Sequence, residues 1–125
     1  MEIKEHCIYS LDFAYTRISL PNNVEIDFRG TLSYHTKDLD LFAQVIQGNL
    51  DLDAVNVFLY FQIQRHIDII LKDINEDEIV NQRPIIVNRI KMIVRKELEE
   101  IGLEFVNFKQ ISLWSHGATA RGIAA

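Results

Sequence analysis

Residues 24–35 alternate without a break. Val24, Ile26, Phe28, Gly30, Leu32 and Tyr34 fall on one parity, and Glu25, Asp27, Arg29, Thr31, Ser33 and His35 on the other. Strict period two over this span specifies a strand with one buried and one solvated face. It also fixes the register, because a slip of one residue would turn the whole apolar set into water. The chain must therefore supply partner strands for this segment and a layer to cover its apolar side. Gly30, on the apolar parity, marks a bend or a close crossing.

The first partner precedes it. Residues 8–20 are rich in aromatic and β-branched types, with Tyr9, Leu11, Phe13 and Tyr15 alternating before Ile18 and Leu20 switch parity. That slip predicts a bulged strand. Pro21-Asn22-Asn23 is a turn signal, so the two strands form a hairpin. The second partner comes late: residues 103–114 (LEFVNFKQISLW) read as a closing strand with a parity shift near Phe105-Val106.

Helical periodicity fills the space between. Thr36 or Asp38 caps a short helix carrying Leu39, Phe42, Val45 and Ile46, ended by Gly48-Asn49. Asp51 or Asp53 caps a long helix over 54–72 with a stripe of Val55, Leu59, Ile63, Ile67 and Ile70. Val57, Tyr60 and Phe61 widen its apolar surface, either against the helix's own domain or as a patch for another subunit. Asn75 and Glu78 have capping-box spacing. Pro84 suits the first turn of the next helix, whose stripe is Ile86, Ile90, Val94, Leu98 and Ile101, with Gly102 as a left-handed stop. The order β-β-α-α-α-β predicts an α+β domain, a mostly antiparallel mixed sheet with three helices packed on one face. The helical crossover before the last strand allows it a parallel neighbour. The reading is one domain over 1–114, with 115–125 a flexible or truncated tail.

Composition narrows the function. A chain of 125 residues with 48% hydrophobic and 25% charged residues is ordinary globular usage. Acidic residues number 18 and basic 13, and the net charge of −5 argues against a nucleic-acid partner, which needs a basic excess. No apolar run approaches the roughly 18–20 residues of a membrane helix, and the N-terminus lacks the layout of a signal peptide. A single cysteine, Cys7, excludes an internal disulfide and makes the cytoplasm the default compartment.

Catalytic signals are weak. His6, His35, His66 and His116 have no i,i+4 metal spacing. His66 reads as solvated on the polar side of the long helix. His35 with Asp38 reads as a turn and helix cap sooner than an acid–base pair. Cys7 and His6 point to opposite faces of an extended strand, which is poor geometry for an activated thiol. The chain has no phosphate loop, and its acidic clusters sit at helix starts, where the macrodipole explains them. The expectation is no catalytic residue, no cofactor and no metal.

One charge pattern is less bland. Arg83, Arg89, Lys91, Arg95 and Lys96 occupy 83–96 with no acid among them, and Glu97, Glu99, Glu100 and Glu104 follow. Cations early and acids late oppose the helix dipole, and Arg95–Glu99 and Lys96–Glu100 are i,i+4 pairs in the less favoured order. Local helix physics does not select this arrangement. Contact between copies would, with the basic segment of one meeting the acidic end of the next in a head-to-tail assembly. Together with Val57, Phe61 and Trp114, these residues make up the candidate oligomer interface.

The order of elements resembles the SPFH or band 7 domain of stomatins, prohibitins and flotillins. In that family a strand leads through a Y-x-I-x-D-P step into a short F-x-x-x-I/V helix. Here the step is Tyr34-His35-Thr36-Lys37-Asp38, with Leu39 in place of proline. The run RKELEEIGLEFVNFKQISLW is similar to the family's ending, matching at Leu98, Gly102, Leu103, Phe105, Phe108, Ile111 and Leu113. The resemblance spans about 24–114. It implies a non-enzymatic domain that oligomerises into rings or cages, often on membranes, and organises other proteins. It departs from the family in lacking a hydrophobic anchor and a following heptad helix, and in having Trp114 where proline is common. It thus implies an unanchored short member or an excised domain, cytoplasmic or peripheral to the inner face of a membrane. Its partners would be itself and an unknown protein. The alternative is a small-ligand-binding α+β module with a pocket between sheet and helices.

Overall fold

A computed structural model describes residues 1–116. The elements are β1 (Ile8–Ser19), a 3₁₀ turn (Pro21–Asn23), β2 (Glu25–Thr36), α1 (Leu39–Ile46), α2 (Leu52–Leu71), α3 (Glu76–Asn81), α4 (Arg83–Glu100) and β3 (Leu103–Ser115). The strands form one open sheet in the order β1-β2-β3. Both pairings are antiparallel, so the sheet is not mixed as expected, and the helices number four rather than three. The crossover through α1–α4 returns the chain along the opposite direction to β2, on the side away from β1. The expected tail begins later than predicted: Ser115 ends β3 and pairs with Ile26, and the His116 amide donates to the Glu25 carbonyl at 2.7 Å. The rest of that tail, 117–125, lies outside the described residues.

The alternation of β2 decides the layering. Ile26, Phe28, Leu32 and Tyr34 are wholly buried beneath the helices. Gly30 sits in the same row because no side chain fits there. A Cβ at Gly30 would collide with Ile111 Cδ1 and lie 2.9 Å from Phe13 Cζ. The space is filled by Ile111 and by Phe13, whose ring packs against Phe28 and Phe108 at centroid distances of 5.1 and 5.8 Å. The β1 parity slip is a bulge between Tyr15 and Ile18, with Arg17 left-handed at φ 55°. Strand β3 is bulged twice, at the expected place beside Val106 and again at left-handed Gln110, opposite Gly30.

Helix α2 lies against β1, and α4 against β3 and α2. Their buried stripes are Val55, Leu59, Ile63, Ile67 and Leu71, and Ile86, Ile90, Val94 and Leu98. Helix α2 starts at Leu52, capped by Asp51; at its far end Leu71, four residues after Ile67, is wholly buried, and the expected Ile70 packs half-buried beside it. Asp38 caps α1 through the Leu41 amide, and Asn75 caps α3 through Glu78. Gln47, not Gly48, takes the left-handed position that ends α1. Gly102 ends the α4 turn at φ 91°, and its carbonyl accepts from the Asp38 amide at 2.8 Å. A Cβ there would strike the Asp38 carbonyl, so glycine is required both by backbone torsion and by this close approach.

Candidate assembly surfaces

An open sheet leaves two edges whose backbone groups need partners. At the β1 edge, α2 side chains engage two carbonyls. Asn56 Nδ2 donates to the Ser10 carbonyl at 3.0 Å, and the Tyr60 hydroxyl to the Ala14 carbonyl at 2.7 Å. Tyr15 returns the link, its hydroxyl donating to the Tyr60 carbonyl at 2.6 Å with the two rings 4.5 Å apart. Burial pushes the Tyr15 phenol above its ordinary pKa, and the Tyr34 phenol likewise, so both stay neutral donors. Tyr60 is therefore covered by its own domain. Val57 and Phe61, one turn apart on the same helix, are not. Each is 58% exposed, and they border a shallow hollow of about 290 Å³ lined by Leu11, Asn56 and Tyr60.

The β3 edge is guarded by α4. Arg83 Nε donates to the Leu113 carbonyl at 2.6 Å, and its guanidinium lies 3.6 Å over the Trp114 ring. Trp114, predicted at an interface, is thus half-buried beneath an arginine of its own chain. Beside it runs an open groove of about 430 Å³ between Pro84, Val87, Asn88 and Lys91 of α4 and Ile111–Trp114 of β3. Farther along, Lys91 and Arg95 stand 5.6 and 5.4 Å over the Phe105 ring, a cation–π arrangement.

The acidic half of the predicted interface divides. Glu97 turns inward, with a side chain only 13% exposed, accepts from Gln62 Nε2 at 2.6 Å, and lies 3.1 Å from His66 Nε2. It ties α4 to α2 within one domain, and His66, expected to be solvated, is its partner with 31% exposure. Glu99 and Glu100 are exposed, as are Arg89 and Lys96. Among the described residues neither Arg95–Glu99 nor Lys96–Glu100 forms an ion pair, and no carboxylate pairs with Arg83, Arg89 or Lys91. Among the described residues the basic run of α4 has no acidic partner.

A buried polar site was not legible in the sequence. Asp27, on the outer parity of β2, is only 5% exposed. It accepts from the Arg17 amide at 2.9 Å and meets His116 Nδ1 at 2.9 and 3.0 Å. Burial pushes its carboxyl up, but the Arg17 amide, His116 and Arg29 outweigh this and hold its pKa below the ordinary value. The carboxylate pins the β1 bulge and the end of β3 to the central strand. At the opposite end, Cys7 is half-buried and its amide donates to Thr36 Oγ1 at 3.1 Å, while His6 lies 3.2 Å from Glu5. Among the described residues, no three His, Cys, Asp or Glu side chains are grouped to hold a metal, and no helix is long and apolar enough to cross a membrane.

Compared with protein-family models and with curated proteins, the chain matches none.

Proposed function

We propose that this chain is a self-assembling, non-enzymatic scaffold domain of the SPFH kind, which works through protein contacts. The observation that carries the reading is the pair of unsatisfied flanks. Val57 and Phe61 stand open beside β1, and the cations of α4 beside β3 have no acidic partner among the described residues. Bare aromatic surface and a single-sign charge run cost solubility or self-repulsion unless a partner covers them. A second support is local. The two stretches that most resemble the family meet in the fold, Asp38 of the strand-to-helix step bonding to Gly102 of the closing motif. The groove between α4 and β3 opens to solvent along the sheet edge, and the hollow beside Val57 and Phe61 is shallow. That favours protein contact over an enclosed ligand pocket.

The test is light scattering over a concentration series at low and high salt. The expected mass rises with concentration and falls with salt. A monomer at all concentrations would refute the scaffold reading. Attachment to a membrane surface is a separate part of the proposal. With a net charge of −5 the domain has no bulk attraction for anionic lipid, so vesicle co-sedimentation is expected only where a partner or the assembled array supplies the contact.

A further inference from the structure

We infer that the groove between α4 and β3 is a docking site for an extended, acidic segment of a partner protein, one that sets two carboxylates and an apolar side chain between them on the same face. Such binding does not require that copies of this chain associate.

Three observations carry it. The first is charge. Arg83 and Lys91 line the groove, and no carboxylate does. Both are half-buried, and neither has an acidic partner among the described residues. Glu97, the next acid along α4, is turned to Gln62 and His66. At the Arg83 end the helix opens with no acid in its first turn and no side-chain cap, so its dipole adds to the positive field. Arg83 is also held in place, by its bond to the Leu113 carbonyl and by the Trp114 ring beneath it. Fixed from two sides, its planar head can take a carboxylate with little further ordering.

The second is spacing. Arg83 and Lys91 are eight residues apart, about 12 Å along the helix axis. An extended peptide covers that distance in about four residues, and its positions i, i+2 and i+4 share one face. Acids at i and i+4 then reach the two cations. The residue between them falls over Val87, which lines the groove midway from Arg83 to Lys91. Apolar contact with Val87 and Ile111 supplies burial that an ion pair at a surface lacks.

The third is backbone. β3 is an edge strand. Its Leu113 carbonyl faces Arg83 rather than β2, and the amide and carbonyl of one strand residue point to the same side. The Leu113 amide therefore points along this open edge, where an extended ligand can offer it a main-chain acceptor. A helical ligand spends those acceptors within itself.

Trp114, the single tryptophan, lines the groove, so its fluorescence reads the test. The probe is the end-capped peptide Gly-Asp-Ser-Leu-Ser-Asp-Gly, which has no aromatic group. It is expected to shift the emission saturably, and more weakly as salt rises. One comparison peptide sets the two Asp side by side and another replaces both with Lys. Each is expected to bind about tenfold more weakly or worse. Lys91→Glu is expected to weaken the first peptide about tenfold, whereas Arg89→Glu, on exposed surface of the same helix outside the groove, leaves it unchanged. Far-UV circular dichroism checks both folds. Should Lys91→Glu fail to fold, Asn88→Glu sets an acid at an exposed groove position and is expected to weaken the same peptide. No saturable shift, equal binding of the comparison peptides, or an equal loss in Arg89→Glu overturns the docking site. So does a groove that ignores the peptide while Lys91→Glu lowers the self-associated mass, which makes a second copy the occupant. Light scattering on the same samples separates this site from the scaffold reading. A monomer that binds the peptide keeps the site and removes the scaffold, and an assembling chain that ignores the peptide does the reverse.

Discussion

Gly30→Ala adds a single methyl group where three neighbours already meet. The new Cβ would overlap Ile111 Cδ1, lie 2.9 Å from Phe13 Cζ and lie 3.2 Å from the Lys109 carbonyl oxygen. These neighbours differ in how far they can yield. Ile111 Cδ1 is the end of a flexible side chain and can rotate away. Phe13 cannot move freely, being packed against Tyr15, Phe28 and Phe108 at centroid distances of 5.6, 5.1 and 5.8 Å. The Lys109 carbonyl belongs to β3, and shifting it disturbs the pairing with Thr31. Overpacking a filled core costs about 1–3 kcal/mol. Replacing glycine lowers unfolded-chain entropy and returns only about 0.4–1 kcal/mol, so the strain wins. For a domain of this size about 1 kcal/mol moves Tm by roughly 4 °C, so the difference between the mid-range values, about 1.3 kcal/mol, puts the expected fall at about 5 °C. Thermal and urea unfolding of purified variants would measure it. Ile111→Val in the same chain removes the overlapping Cδ1 and is expected to recover part of the loss. Gly48→Ala is the control, because its nearest neighbour would be the Ile46 carbonyl at an ordinary 3.6 Å. If Gly30→Ala melts at or above the unaltered chain, the close-packing account of this position is wrong.

Asp27→Asn removes a carboxylate whose folded pKa is depressed. Such a group stabilises above its unfolded pKa of about 4 and loses that contribution as pH falls through the lower folded value. Urea titrations should show the variant about 1–3 kcal/mol weaker at pH 7, with the gap closing on strong acidification; a gap independent of pH contradicts the charge account. Glu97→Ala strips Gln62 and His66 of their shared acceptor, for an expected loss of about 1–3 kcal/mol. The cycle with Gln62→Ala should show coupling, and strict additivity would mean that the α2–α4 tie contributes nothing. Phe61→Ser is expected to leave the unfolding midpoint within about 0.5 kcal/mol, as for an exposed position, while reducing self-association. A large stability loss would place Phe61 in the core instead.

The elements were legible because each leaves a local period. The β2 alternation, the parity slip beside Arg17, the caps at Asp38, Asp51 and Asn75 and the Gly102 stop all appear where the residues point. The candidate surfaces were half legible. Val57 and Phe61 could be named from the extra apolar width of α2, and the basic run of α4 from its opposition to the dipole. Which of these groups were already engaged could not be read. Tyr60 sits beside Phe61 in sequence yet is covered by β1, and Glu97 sits beside Lys96 yet turns toward α2.

What the sequence determined by itself is where the strands and the longer helices run and the side of each that is apolar, since hydrophobic period and capping act within a few residues. The tertiary structure alone decided that β3 runs antiparallel to β2 and that Asp27 meets His116. It alone decided that Asn56, Tyr60 and Arg83 guard the sheet edges. Those contacts join residues 30 to 89 positions apart. Burial of an apolar stripe fixes which way an element faces, but the polar groups on its flanks acquire partners only when another element is set beside them.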